Sequence, residues 1–555
     1  MRSLQQALFD HELITLRVIG EWWELDLTGS DKSGAVEALA SALGRVDMQQ
    51  EMLFLPPEEE AAMRDLIMQG GRAPVAVFSR SHGDFRLMGP GRMEREEPWL
   101  DPISATEALW YRGFIYRAFD ETAEDLVEFY YIPTEMLSNL PPNDYIEPEQ
   151  PPASLMPIEG VPQEFDAAPV TAVDDLTTLL SVTLNMSHIT KQRPHVDRRL
   201  LDPNADRRSL LLTLANEIGL VRQNDGGLRP TRSAVDWLKK NRDAQLFALA
   251  DAWSNSDWND LCHTPGLRCE GENWQNDPIL ARTALLDVLP RTNDWYRLVD
   301  LIDFIKKTNP DFQRPDGNYD TWYIRDADHS GYLAGFDSWD QVEGRLIGYL
   351  LQGPLHWLGM VHIAHSSQAD QAAFRLTDRA LKWLSGQLAD EKEAQATIVV
   401  QANGVIVVPQ ESNRYLRFQV SRIAEAQPIK PGQAFKYRLT PESLNSAHEQ
   451  GISSERVLQF LSRVSGAALP KSIQRAVTRL QEKGVEARLE PIIVLRVNDE
   501  EILRTLRSNP RTRDYLGESL GDLAVEVKPG AWEAFCLATT QLGLFLDTSA
   551  RPNDE

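Results

Sequence analysis

Between Asp120 and Leu180 the chain carries fourteen acidic residues and not one Lys or Arg. Inside that stretch, residues 138–172 hold eight prolines and follow neither a helical nor a strand period. Proline removes backbone donors and the carboxylates repel one another, so an extended, mobile linker is expected there. No single core can run through such a segment. A second, shorter break is Ser385-Gly-Gln-Leu-Ala-Asp-Glu-Lys-Glu-Ala, which is polar and lacks proline. The expected organisation is residues 1–50, 51–137, the acidic linker 138–172, then 173–388 and 396–548.

At 555 residues the chain is long enough for about three or four domains. It has 82 Asp+Glu against 57 Lys+Arg, a formal charge of −25, so nucleic acid and anionic membranes repel it unless its cations gather on one surface. Three cysteines (262, 269 and 536) cannot build a disulfide framework and suit a reducing compartment. An acid at Asp10 precedes any signal-peptide core, and no apolar run reaches the ~18–20 residues of a membrane span, so a cytoplasmic protein is expected. Nine of fourteen tryptophans lie between Trp237 and Trp383, which predicts an α-rich core there rather than a base-stacking surface.

A short pattern recurs. Ile218-Gly-Leu-Val is followed by a polar loop, Leu228-Arg-Pro-Thr, and a helix bearing Ala234-Val-Asp-Trp-Leu. Leu358-Gly-Met-Val leads likewise to Phe374-Arg-Leu-Thr and Ala380-Leu-Lys-Trp-Leu. Looser copies start at Gly113-Phe-Ile-Tyr and within 58–93, where strands are expected at Val75-Ala-Val-Phe and Phe85-Arg-Leu-Met. Helix, left-handed glycine and β-hairpin closing over the helix make the winged-helix arrangement. The predicted fold class is therefore mainly α with small β-hairpins, as tandem winged-helix modules, plus a carboxy-terminal α/β (α+β) domain.

Winged helices often place a helix in the DNA major groove. Here the helix before Gly70 starts Glu58-Glu-Glu, and the helix before Gly359 offers only Arg345, which favours protein interaction. The one candidate basic surface comprises Lys191, Arg193, Arg198, Arg199, Arg207 and Arg208, with Arg222, Arg229 and Arg232 on the hairpin. Residues 13–39 resemble the SAP motif, two helices joined through Thr28-Gly-Ser-Asp-Lys. Gly29 and Lys32 match that family, whereas Glu21, Glu24, Asp26 and Asp31 depart from it.

The last block alternates strands and helices. Ala396-Thr-Ile-Val-Val-Gln-Ala-Asn-Gly-Val-Ile-Val-Val predicts a hairpin turning at Asn403-Gly404 in type I′ geometry. Thr440 caps a helix opened by Pro441 and stopped by Gly451. Ser453 caps the next helix, and Pro470 opens a third that ends at Gly484. Strands at 491–497 and 524–527 alternate with helices at 499–508 and 531–542. This succession resembles the amino-terminal domain of the xeroderma pigmentosum group B helicases, in the form found in bacterial proteins. The resemblance rests on the Val-Val-Gln-Ala-Asn-Gly hairpin, Tyr437-Arg-Leu-Thr-Pro-Glu-Ser-Leu, Gly451-Ile-Ser-Ser-Glu-Arg-Val-Leu and Leu469-Pro-Lys-Ser-Ile. It implies a helicase-type partner and an adaptor role, because a winged-helix subunit ending in a similar domain clasps that helicase in a transcription and repair factor.

ATPase activity is not carried over. A phosphate-cradling loop ends in Gly-Lys-Ser/Thr, and the sequence contains no Gly-Lys dipeptide. His-Glu-x-x-His is absent too, and Cys262-His263 with Cys269 falls short of a closed zinc set. Asp326, Asp328, His329, Asp337 and Asp340 beside Trp322 and Trp339 leave a metal-dependent hydrolase as the remote alternative, a solvated loop being the expectation. The phrase Gly317-Asn-Tyr-Asp-Thr-Trp-Tyr has no role at this level. The chain thus reads as a non-catalytic scaffold for DNA transactions, with no cofactor, no membrane and no evident small-molecule substrate. A direct DNA-binding regulator is the alternative.

Overall fold

A computed structural model describes residues 2–120, 127–138, 155–185, 196–224, 227–271, 274–328, 331–365, 372–387, 396–430, 432–487, 492–528 and 530–548. The chain forms two compact units: Met1–Gln450 with Ser462–Ala468, and Gly451–Leu461 with Leu469–Glu555. Composition suggested a boundary at 388–396, but residues 396–450 belong with what precedes them. Every paired strand is antiparallel and helices predominate, so the architecture is multi-domain α+β.

The amino-terminal region has its own core, with Leu8, Leu16, Ile19, Leu39 and Leu66 at its centre. Helices Leu13–Trp22 and Lys32–Leu43 flank a connector containing two turns, and Asp31 caps the second helix by accepting from the Gly34 N–H. A Cβ at Gly20 would lie 2.6 Å from Leu27 Cδ1 and 3.3 Å from Leu25 O, so the glycine lets the connector pack closely over the first helix. A three-stranded sheet sets Val127–Tyr131 between Arg72–Pro74 and Tyr116–Asp120. One expectation fails here. Val75–His82 is a helix, and Phe85–Met88 is not a strand. Helical winding carries Phe78 into the core against Tyr130 and brings His82 Nε2 to 2.9 Å from Asp65, so tertiary contacts override the β-branched run.

In the central region helix Ala172–Asn185 runs through the core, burying Val173, Leu176, Leu179 and Leu180. The two better copies of the repeat match down to individual hydrogen bonds. In the first, helix Ala205–Glu217 ends at Gly219 (φ 68°), strands Val221–Asn224 and Gly227–Pro230 pair, and Thr231 caps helix Arg232–Leu238. In the second, Gly359 (φ 79°) precedes strands Val361–Ala364 and Ala373–Leu376, and Thr377 caps Asp378–Leu384. Thr231 and Thr377 each donate their hydroxyl to the carbonyl of that glycine, at 2.6 and 3.1 Å. Each also donates its N–H to the residue after the glycine, Leu220 or Met360.

Of the expected linker, 139–154 lie outside the described residues, and 155–171 are mostly exposed but tied to the central region by backbone hydrogen bonds. Ile158 N–H donates to Trp295 O at 2.8 Å, Asp166 and Ile363 exchange backbone bonds at 2.7 and 3.1 Å, and Ala168 N–H donates to His362 Nδ1 at 3.0 Å. The tryptophans form the expected core, with Trp253 and Trp339 fully buried. The unexplained 317–326 phrase builds a socket. Tyr319 Oη donates to Pro310 O and Asp311, and Arg80 from the amino-terminal region enters beside it. Arg80 bonds Asp311 at 2.8 Å and Gly317 O at 3.2 Å, facing the Tyr319 and Phe336 rings. A Cβ on Gly317 (φ 66°) would lie 2.4 Å from Val77 Cγ2, so only glycine permits this approach.

In residues 396–450 the first hairpin turns differently from the expected two-residue form. Gly404 N–H donates to Gln401 O and Gln401 N–H to Val405 O, with positive φ at Gly404 but not at Asn403. That is a longer loop closed by one left-handed glycine. Thr440 and Ser443 form a reciprocal capping box on helix Pro441–Glu449. In the second unit, strand Ala524–Val527 lies between Ile493–Arg496 and Leu516–Gly521. Helices Glu500–Ser508 and Trp532–Gln541 cover it with Leu503, Leu506 and Phe535.

Candidate functional site

The predicted basic residues separate into two kinds. Arg207 sits inside the protein at 1% exposure, its Nη1 2.5 Å from Asp175 Oδ2, with Asp202 O and Thr171 Oγ1 also accepting from it. Burial pushes the Asp175 carboxyl up, opposed by Arg207 and by the Leu201 and Asp202 N–H groups. Arg208 is buried and paired with Asp197. Both guanidiniums are engaged within the fold, so neither presents its charge to a phosphate. Arg199 pairs with Glu425 at 3.5 Å, and Arg198 is exposed. Lys191 and Arg193 lie outside the described residues.

The hairpin arginines are arranged differently. Arg222 and Arg229 are cross-strand partners, which puts both on one face of the hairpin, and exposed Arg232 begins the helix that follows. Arg222 and Arg232 are exposed, whereas Arg229 is half-buried on strand Gly227–Pro230, which packs against helix Ala172–Asn185 through Leu228.

Sequence reasoning missed the arginines that fasten residues 396–450 to the central helices. On helix Arg414–Ser421, the buried residues Arg414, Arg417, Phe418 and Ser421 follow the i, i+3, i+4, i+7 stripe of an inward face. Arg414 Nε donates to Gln245 Oε1 at 2.8 Å, and Arg417 donates to Asp174 O and lies 3.9 Å above the Phe435 ring. Arg242 joins Asp174 at 2.6 Å to Gln410 O at 3.0 Å. The stripe was readable in the sequence; its partners, more than 160 residues away, were not. Beside this seam a cleft of about 350 Å³ is lined by Ser181, Arg199, Glu425, Tyr437 and Glu442.

Other candidate chemistry does not assemble. Cys262 and Cys269 are disulfide-bonded, with Cα atoms 5.4 Å apart, which stands against the expectation that the cysteines suit a reducing compartment and occupies both would-be metal ligands. Asp326 pairs with Arg345 and Asp340 with Lys306; among the described residues no group of three His, Cys, Asp or Glu could hold a metal, and His329 is outside them. Gly517-Glu-Ser519-Leu-Gly521 has the spacing of a hydrolase nucleophile turn, a feature the sequence reading passed over. It lies within one β-strand instead of a strand-to-helix turn, and Ser519 donates its hydroxyl to Gly521 O. Among the described residues no helix is long and apolar enough to cross a membrane.

Comparison with known proteins locates the informative region. Residues 398–521 match the family described as helicase conserved C-terminal domain. The chain is also 30% identical over 138 residues to the general transcription and DNA repair factor IIH helicase/translocase subunit XPB of Antonospora locustae. That match covers 22% of this chain, and the chain spans only 20% of that relative. The matched segment begins in the first unit and ends in the second, crossing the division at Gln450. Residues 398–521 are a helicase-related domain.

Proposed function

We propose that the chain is a non-catalytic, helicase-associated scaffold in DNA transactions, pairing with a helicase-type partner through residues 398–521. The observation that carries this reading is a helicase-related domain in a sequence with no Gly-Lys dipeptide to end a phosphate-gripping loop. The helix–glycine–hairpin units with matching Thr231 and Thr377 hydrogen bonds support winged-helix modules as the scaffold, and the succession of caps from Thr440 to Gly484 supports likeness to the helicase's amino-terminal domain. The seam of Arg242, Arg414 and Arg417 would hold the first half of that domain at a set orientation on the scaffold. Co-purification of the full chain from its native cell should bring down a helicase-type ATPase. Intrinsic ATP hydrolysis abolished by one point substitution in this chain would refute the proposal.

Direct DNA binding is the second reading, favoured by the exposure of Arg198, Arg222 and Arg232. With Arg207 and Arg208 inside the fold, about three phosphate contacts remain, for a log–log salt slope near −3 on duplex DNA. Binding that is flat with salt, or absent at low salt, removes this reading.

A further inference from the structure

A second run of cations lies in the second unit. In a chain of formal charge −25, residues 504–513 carry four arginines and no acid. Arg504, Arg507, Arg511 and Arg513 are all exposed, and so is Lys528.

The fold gathers them. Helix Glu500–Ser508 ends at Asn509, and the chain turns back on it at once. Arg511 N–H donates to Asn509 Oδ1 at 2.9 Å, and the N–H groups of Thr512 and Arg513 donate to Asn509 O at 3.2 and 3.0 Å. Thr512 is buried and donates its hydroxyl to Leu506 O at 2.6 Å, which pins the turn to the helix. Arg507 thus lies in the last helical turn, with Arg511 and Arg513 on the loop folded against it. Lys528 joins them, its Nζ donating to Asp514 O at 2.8 Å.

Cations near a helix C-terminus often serve only its carbonyls. Here those carbonyls are occupied: Thr505 O accepts from Asn509 N–H and Ser508 Oγ, each at 3.1 Å, and Leu506 O accepts from Thr512. Arg504 pairs with Glu500 at 2.7 Å and Arg513 with Asp514 at 3.5 Å, whereas Arg507 and Arg511 have no carboxylate partner among the described residues. Arg511 Nη1 reaches Gln541 Oε1 at 3.5 Å, at the end of helix Trp532–Gln541. Just beyond, Leu544 N–H donates back to Thr539 O at 3.0 Å, which keeps Phe545 near that helix end at 84% exposure.

We propose that this cluster binds single-stranded nucleic acid, with Arg507, Arg511, Arg513 and Lys528 on phosphates and Phe545 stacked on a base. Guanidiniums grip phosphate oxygens through paired N–H bonds, and an exposed ring beside cations accepts any unpaired base. A duplex keeps its base faces stacked inside, and an acidic polypeptide offers none. The site lies in the second unit alone, so it stands apart from helicase pairing and from the Arg222 surface.

Fluorescence anisotropy of the full chain with a labelled oligothymidylate over a salt series tests it, with unlabelled duplex DNA and polyglutamate as competitors. Four phosphate contacts on a single strand predict a log–log slope of about −3. Arg507→Glu combined with Arg511→Glu should weaken binding tenfold or more, and Phe545→Ala about fivefold. Neither should lower the melting temperature, since all three side chains are exposed. Arg222→Ala with Arg232→Ala should leave binding of the strand unchanged. No binding at low salt overturns the proposal, as does binding unaltered by the arginine reversals or by Phe545→Ala. Loss of binding in the Arg222/Arg232 variant also overturns it, as does duplex or polyglutamate competing as well as unlabelled single strand.

Discussion

Arg207 and Arg222 stand fifteen residues apart in the same helix–hairpin–helix, yet they do opposite things. Arg207 turns inward to a carboxylate on helix Ala172–Asn185, whereas Arg222 faces solvent opposite Arg229. The difference follows from the acid-rich start of that helix. Asp174 and Asp175 are buried in the core of the unit, and they draw in Arg242 and Arg207. A buried charge pair contributes little net stability but is costly to break, so these arginines fix how segments fit together. Arg222 on the hairpin is instead exposed.

Arg207→Ala should break the inner half of that contrast most severely, leaving Asp175 buried without its counter-charge. A loss of about 3–5 kcal/mol in unfolding free energy is expected from urea denaturation of the full chain. If the loss is below about 1 kcal/mol, the inner arginine is no more structural than the outer ones.

His11 sharpens the comparison as a buried base whose Nε2 has no hydrogen-bond partner. Burial, and secondarily Lys32, hold it down from 6.5 to about 4. The unfolded chain thus binds the extra proton first, so the associated stability is complete above about pH 6.5 and is lost as pH falls towards 4. About 3 kcal/mol should disappear over that window. His11→Phe should flatten this dependence, as read from urea midpoints between pH 7 and 4.

At the outer surface, replacing both Arg222 and Arg232 with Ala should change stability by no more than about 0.5 kcal/mol. If the hairpin meets DNA, the same variant should lower the magnitude of the salt slope by about 2, read from fluorescence anisotropy over a salt series. The smallest effect belongs to the exposed Glu500–Arg504 pair in the second unit, at 2.7 Å. Glu500→Ala should cost about 0.3 kcal/mol, vanishing in 1 M salt.

Which features were legible in the sequence follows the same division. Gly219, Gly359 and Gly484 stop or turn the chain where expected, Thr440 caps its helix, and the helices from Pro441, Ser454, Lys471 and Glu500 follow in the anticipated order, whereas helix Arg414–Ser421 and strand Leu516–Gly521 were not anticipated. Of the candidate basic residues, Arg222 and Arg232 are exposed, whereas Arg207 and Arg208 are buried. Nothing local distinguishes an arginine bound for a core from one bound for solvent. The helix at Val75–His82 and the tethering of 155–171 were not legible for a related reason, since they depend on Tyr130, Asp65, Trp295 and Ile363.

The amino-acid sequence by itself determined the turns, caps and apolar stripes, because left-handed glycines, capping hydroxyls and helical spacing act over a few residues. Only the tertiary structure decided which charges are buried, where the units divide and that Arg80 enters the Tyr319 socket. Those outcomes depend on groups brought together from as far as 243 residues apart, as with Arg417 and Asp174. Desolvation penalises a charge unless such a partner arrives with it.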